Sequence, residues 1–134
     1  MVDAMERPTV LVIEDNPLNS ELVTDLLETD GLRVRCAESA EAGIKLAREI
    51  LPQLILMDIT LPGMNGVDAT KILKADPATR HLTIVGLTAH TASDGESLAL
   101  DAGFDGYLTK PFEIHTFAAT VKEFIAAREN KRRI

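Results

Sequence analysis

The chain has little with which to build a disulfide, a membrane anchor or a basic binding face. One cysteine, Cys36, stands among 134 residues, so no internal disulfide can form, and a reducing, cytoplasmic setting is the simplest expectation. Cys36 itself reads as a small buried hydrophobe. No apolar run approaches the length that spans a bilayer, which argues against membrane insertion. Met1 to Pro8 are polar and lack the apolar segment of a secretory signal. Bases are outnumbered 14 to 21 by acids, for a formal charge of -7. That balance disfavours capture of nucleic acid or of an anionic membrane surface and leaves proteins as the expected partners. Internal repeats and low-complexity segments are also missing. The terminal cluster Arg128 to Arg133 reads as a helix end whose cations suit the negative pole of the helix dipole.

What remains is one domain, long enough to bury a core without a disulfide or structural metal. We divide it into an N-terminal extension (1–8), the domain proper (9–127) and a basic C-terminal tail (128–134). Leu54 to Asp58, Leu-Ile-Leu-Met-Asp, is a continuous apolar run that ends in a carboxylate, as a parallel strand covered on both faces would. Thr9 to Ile13 is similar and runs into Glu14 and Asp15. Asn16 then offers an N-cap and Pro17 the favoured first helical position, before a stripe of Leu18, Leu22, Val23, Leu26 and Leu27 that ends at Gly31.

Leu32 to Ala37 alternates, with Leu32, Val34 and Cys36 on one side and Arg33 and Arg35 on the other, as an edge strand would. Ser39 can cap a helix with Ala40, Gly43, Ile44, Ala47, Ile50 and Leu51 on one face, stopped by Pro52. Beyond Pro62 to Gly66, Val67, Ala69, Ile72 and Leu73 predict a third helix ending near Asp76 and Pro77. Leu82 to Leu87 predicts a fourth strand ending at Thr88. Ser93 and Glu96 form a capping box that opens a thinly apolar fourth helix. Gly106 to Thr109 is a short fifth strand delivering Lys110 and Pro111, and a last helix carries Ile114, Phe117, Val121, Phe124 and Ile125.

Alternating strands and helices with right-handed crossovers give an α/β, doubly wound, five-stranded parallel sheet with helices on both faces. In the order 2-1-3-4-5 the first and third strands are neighbours at the switch point, where ligands of such sheets bind. Glu14 and Asp15 would then crowd Asp58, with repulsion of roughly 1 to 4 kcal/mol per pair. A hard divalent cation, most naturally Mg²⁺, would offset it through oxygen ligands. Lys110 adds an ammonium and Thr88 a hydroxyl. A carboxylate nucleophile, a metal, an ammonium and a hydroxyl together describe phosphoryl transfer through an aspartyl phosphate. Singly, each residue has an ordinary reading: helix-terminal acids, a strand-end hydroxyl, a surface cation. Their joint placement at four strand ends is what carries the argument.

The sequence resembles the receiver domains of two-component response regulators from about Thr9 to Ala127. The resemblance rests on Glu14-Asp15-Asn16, Asp58 after its apolar strand, Leu61-Pro62-Gly63-Met64-Asn65-Gly66, Thr88-Ala89 and Lys110-Pro111, and it also carries part of the 2-1-3-4-5 order. It implies Asp58 as phosphoacceptor, and Glu14, Asp15, Asp58 and the Thr60 backbone carbonyl as ligands of Mg²⁺ or Mn²⁺. Thr88, Ala89 and Lys110 would bind the phosphoryl group. Thr88 and Tyr107 would form a switch pair, the hydroxyl turning to the phosphoryl group and the ring moving inward; alone, Tyr107 reads as a partly buried aromatic. Lys110-Pro111 would be a cis peptide. Ala89 would leave the acceptor open. Thr60 and His90 would tune the lifetime of the phosphoryl group, although a loop histidine also reads as surface, as do His81 and His115.

The expected function is a single-domain regulator phosphorylated by a histidine kinase or histidine phosphotransfer protein and read by a downstream target protein. It would catalyse at most its own phosphorylation and slow autodephosphorylation. A phosphorelay shuttle is the variant of this reading, tilted by the Glu-Asp-Asn-Pro-Leu-Asn opening. With the chain ending soon after the last helix, output is expected through protein contact, and partner specificity is expected on the first helix and neighbouring loops. A small aspartate-nucleophile phosphohydrolase would need an acid two residues after the nucleophile, where Thr60 stands. A degenerate binding module would have lost an acid or Lys110. A flavin site would need a Gly, Ser and Thr-rich loop after the first strand.

Overall fold

Strand β1 (Thr9–Ile13) is enclosed from its second residue onward. At its end Asn16 turns the chain. Its Oδ1 accepts the amide of Leu18 at 2.9 Å, and Pro17 takes the first position of α1 (Pro17–Thr29), so orphan amides of the first turn are satisfied or absent. Gly31, at φ 89, makes the left-handed turn after the helix. There follow β2 (Arg33–Ala37), α2 (Ala40–Ile50, capped by Ser39), β3 (Leu54–Asp58), α3 (Gly66–Ala75, capped by Asn65), β4 (Thr83–Thr88), β5 (Gly106–Thr109) and α4 (Phe117–Arg133). The structure, a computed structural model, describes residues 8–88, 103–110 and 113–133. The helix expected from Ser93, together with Ala89, His90 and Pro111, lies outside the described residues. The backbone of α4 stays helical through Arg133, so the expected tail continues the helix.

The five strands are parallel in the order β2-β1-β3-β4-β5. Val12 lies between Cys36 and Leu56, and Asp58 lies beside Leu87. Alternation then sorts the core. Leu11, Ile13, Ile55, Met57 and Ile84 face Ala40, Ile44, Ala47, Ala69 and Leu73 of α2 and α3. Val10, Val12, Leu54, Leu56, Val85 and Leu87 face Val23 and Leu27 of α1 and Phe117, Val121 and Ile125 of α4. Three layers result, as right-handed crossovers from a central strand require. Close approach is built in at Gly43, where a Cβ would strike Ile13, and at Gly66, where it would strike the carbonyl of Asp58. Among the described residues no helix is long and apolar enough to cross a membrane.

Several inward assignments are corrected. Leu18 is 76% exposed and Leu22 37%, because the first turns of α1 project past the strand ends and only Val23 and Leu27 of that helix are fully covered. Cys36 is exposed rather than buried: β2 is an edge strand, exposed or half-exposed along most of its length, and Ala37 is its one buried residue. Leu51 and Ile72 are also exposed. Ile114 precedes α4 in a turn and is exposed, so it is not part of that helix's stripe.

Candidate functional site

The carboxyl ends of the strands converge on one acidic cleft. The amide of Glu14 bonds the Ala37 carbonyl at 3.0 Å, extending the β1–β2 ladder by one step and fixing Glu14 at the sheet edge. Glu14 and Asp58 are enclosed, at 1% and 3% exposure, and Asp15 is open to solvent. Carboxylate oxygens of all three lie within 4.8 Å of one another. Ladder bonding also delivers the cation, since the amide of Lys110 bonds the carbonyl of Thr88 at 2.6 Å. From there its Nζ reaches Glu14 Oε1 at 2.8 Å and Asp58 Oδ2 at 3.4 Å. Thr88 is buried beside it, and Tyr107, two register steps back on β5 opposite Gly86, is half-buried.

The two oxygens of Asp58 have different neighbours. Oδ1 accepts the Thr60 amide at 3.0 Å and the Thr60 hydroxyl at 3.1 Å, whereas Oδ2 faces the ammonium. Burial pushes the Glu14 carboxyl above its ordinary range, helped by the hydrogen bond and charge of Asp58 and opposed by Lys110. Burial acts the same way on Asp58, but hydrogen bonds from Glu14 and the Thr60 amide, with the charge of Lys110, hold it below its usual value. Lys110 is raised: desolvation opposes its charge, and the bond to Glu14 and the field of Asp58 outweigh that cost.

Three acids against one ammonium leave the cleft short of positive charge. The donors are carboxylate oxygens of Glu14, Asp15 and Asp58, and they converge within 4.8 Å of one another. That set fits a hard divalent cation rather than a thiophilic one.

Glu14, Asp15, Asp58, Thr60, Thr88 and Lys110 are therefore gathered at one edge, with Tyr107 nearby. The Lys110-Pro111 peptide and Ala89 lie outside the described residues, and His81 and His115 are exposed. Sequence reading missed Asn19, whose Nδ2 donates to Glu14 Oε1 at 3.1 Å. Its only signal was an amide one turn into the helix that follows the two acids.

Residues 10–122 match the family model for the response regulator receiver domain. The polar-differentiation response regulator DivK of Brucella ovis is 37% identical over 117 residues, which cover 87% of this chain and 95% of that protein. A crystal structure of a candidate response regulator from Chloroflexus aurantiacus superimposes with a TM-score of 0.86 at 30% identity, over 90% of this chain and 99% of that one. The receiver domain of a sensor histidine kinase from Pseudomonas aeruginosa, with a magnesium ion coordinated in its active-site cleft, gives 0.83 at 29% identity, over 90% and 98%.

Proposed function

The chain belongs to the response regulator receiver domain family, and on that footing we propose that Asp58 accepts a phosphoryl group from a phosphohistidine of a histidine kinase or phosphotransfer protein. Receiver domains are signalling proteins of two-component systems rather than classical enzymes. The observation that carries the proposal is the setting of Asp58: an enclosed carboxylate at a strand end, held on one oxygen by Thr60 and faced on the other by Lys110. Its carboxyl, held below the usual range, is ionised at neutral pH, the form that can attack phosphorus.

In the proposed step a carboxylate oxygen of Asp58 attacks phosphorus, an O–P bond forms, and the P–N bond breaks with its electron pair returning to the imidazole. Lys110 and Thr88, together with Ala89, bind the phosphoryl oxygens. Glu14, Asp15, Asp58 and the Thr60 carbonyl would hold Mg²⁺ or Mn²⁺, which supplies the positive charge the transferred group requires. Thr88 turning to the new phosphoryl group and Tyr107 following inward would alter the surface that a downstream protein reads. Loss of the group by water would be slow, because the position two residues beyond Asp58 offers a hydroxyl bonded to that aspartate and no general acid. Leu18 and Leu22, one turn apart and exposed on α1 beside the acids, give a donor protein an apolar patch to cover. The net charge of -7 favours protein partners over nucleic acid, in a cytoplasmic setting.

Incubation with acetyl phosphate and Mg²⁺ followed by intact-mass measurement tests the assignment. The wild type gains one phosphoryl group, and the gain is lost in Asp58→Asn and in excess chelator. Equal gain by both proteins, or by neither, removes Asp58 from the role.

A further inference from the structure

Glu14 is the most enclosed acid of the cleft, and its Oε1 is held by two donors of different character. Lys110 Nζ, at 2.8 Å, is charged, sits on a long flexible stem and also faces Asp58. In the phosphoryl transfer described above it has to turn toward the incoming oxygens. Asn19 Nδ2, at 3.1 Å, is neutral, short and rooted in the first turn of α1. The other oxygen, Oε2, has only the amide of Asn16 at 3.4 Å, a long contact for an N–H donor. When Lys110 leaves, Asn19 is the short donor that remains on Glu14 among the described residues.

The choice of an amide follows from what the site must do. Asparagine is a poor helix former, yet here it stands at the third helical position, where a capping-box Glu or Gln would reach back to the N-cap amide. In this chain Glu14 itself takes the Asn16 amide, and Asn19 is free to bond Glu14. An amide orients the carboxylate without cancelling its charge. A lysine or arginine there would neutralise the acid, and an aspartate could not donate and would repel it.

Resting on the reading of this cleft as a cation-dependent phosphoryl site, we infer that Asn19 is a positioning residue that keeps the Glu14 carboxylate aimed into the cleft while Lys110 serves the phosphoryl group. Outer-shell partners of this kind are worth roughly 10 to 100-fold in metal affinity. The test is Mn²⁺ titration by calorimetry of the wild type, Asn19→Ala, Asn19→Ser, Glu14→Gln and the Glu14→Gln/Asn19→Ala double variant, with melting curves in chelator as a folding control. Asn19→Ala and Asn19→Ser should bind Mn²⁺ about 10-fold more weakly while melting like the wild type without metal. The double variant should bind as Glu14→Gln does, since the amide acts only through that acid. With acetyl phosphate, Asn19→Ala should need more Mn²⁺ for half-maximal phosphorylation and reach the wild-type plateau.

Wild-type affinity in Asn19→Ala and Asn19→Ser, or losses that add in the double variant, would overturn the positioning role. Failure of the wild type to bind Mn²⁺ at all would instead overturn the reading of the cleft, and the inference with it.

Discussion

Lys110 leans toward Glu14 rather than toward Asp58: its Nζ is 2.8 Å from Glu14 Oε1 and 3.4 Å from Asp58 Oδ2. The ammonium therefore occupies the oxygen that a cation in the cleft would also seek. A cation bound in the cleft would repel the ammonium at that oxygen, so the two are expected to compete for Glu14.

Removing the ammonium exposes that competition. Lys110→Ala leaves two enclosed carboxylates facing each other, and in chelator the variant should be less stable by about 1 to 3 kcal/mol, discounted from the buried-pair range because the lysine is partly exposed. Saturating Mg²⁺ should raise its melting temperature by more than it raises that of the wild type. Thermal melts with and without Mg²⁺ measure both, and an equal Mg²⁺ increment in the two proteins would show that Lys110 does not compete with the cation.

Gly66 is the point at which α3 starts against the end of β3. An added Cβ would meet the Asp58 carbonyl and, at 2.9 Å, the Cα of Ile59, and backbone atoms cannot rotate away. Gly66→Ala should cost about 1 to 3 kcal/mol in urea unfolding and should also slow phosphorylation by acetyl phosphate, because the displaced atoms belong to Asp58 itself. Gly63→Ala, where nothing lies within 4 Å but φ is 72, should show strain in stability with less effect on Asp58.

Leu18 separates the chemistry from the encounter. It is 76% exposed, so Leu18→Asn should change stability by less than about 0.5 kcal/mol and leave acetyl phosphate labelling intact. Transfer from a phosphorylated protein donor should slow, because the donor would have to cover a polar group instead of an apolar one. Stopped-flow transfer beside acetyl phosphate labelling distinguishes the two, and parallel losses would place the effect within the site.

Asp76 gives a pH signature away from the cleft. Its carboxyl is held below the ordinary value of 3.8, first by the hydrogen bond from the Ala78 amide and then, against the opposing cost of burial, by Arg48. A depressed acid contributes stability that is present above its unfolded pKa and lost as pH falls through the folded one. Asp76→Ala should therefore melt below the wild type at pH 7, and the gap should close below pH 3.8. Melts across pH 2 to 7 read this out; a gap that persists at the acid end would assign the effect to packing.

The parts of the fold that sequence revealed are those that one physical cause determines. β1 and β3 are covered on both faces, so every residue from Val10 to Ile13 and from Leu54 to Asp58 had to be apolar except the acid at the exit. The N-caps Asn16 and Ser39 read correctly because capping is local. Cys36, Leu18 and Ile114 misled for a shared reason: periodicity says which residues share a face and is silent on how far the covering layer extends. Cys36 sits on an edge strand that is covered only at Ala37, Leu18 is exposed at the start of α1, and Ile114 lies before its helix begins. In the site, the residues at strand exits were legible because topology alone brings them together. Asn19 was not, since its contact with Glu14 depends on the pitch of α1 and the turn at Asn16, which no spacing rule encodes.

The bond between Lys110 and Glu14 joins residues 96 apart in the chain, and the strand that delivers Lys110 is the last to join the sheet in sequence order. During synthesis the first three strands can emerge with Glu14, Asp15 and Asp58 already adjacent, yet the cleft then holds only negative charge. Only when residue 110 has left the ribosome and β5 has zipped onto β4 does the acceptor gain its ammonium. On the proposed reading, a chain that stops short of Lys110 would lack the ammonium beside Asp58 and should not be labelled by a phosphoryl donor.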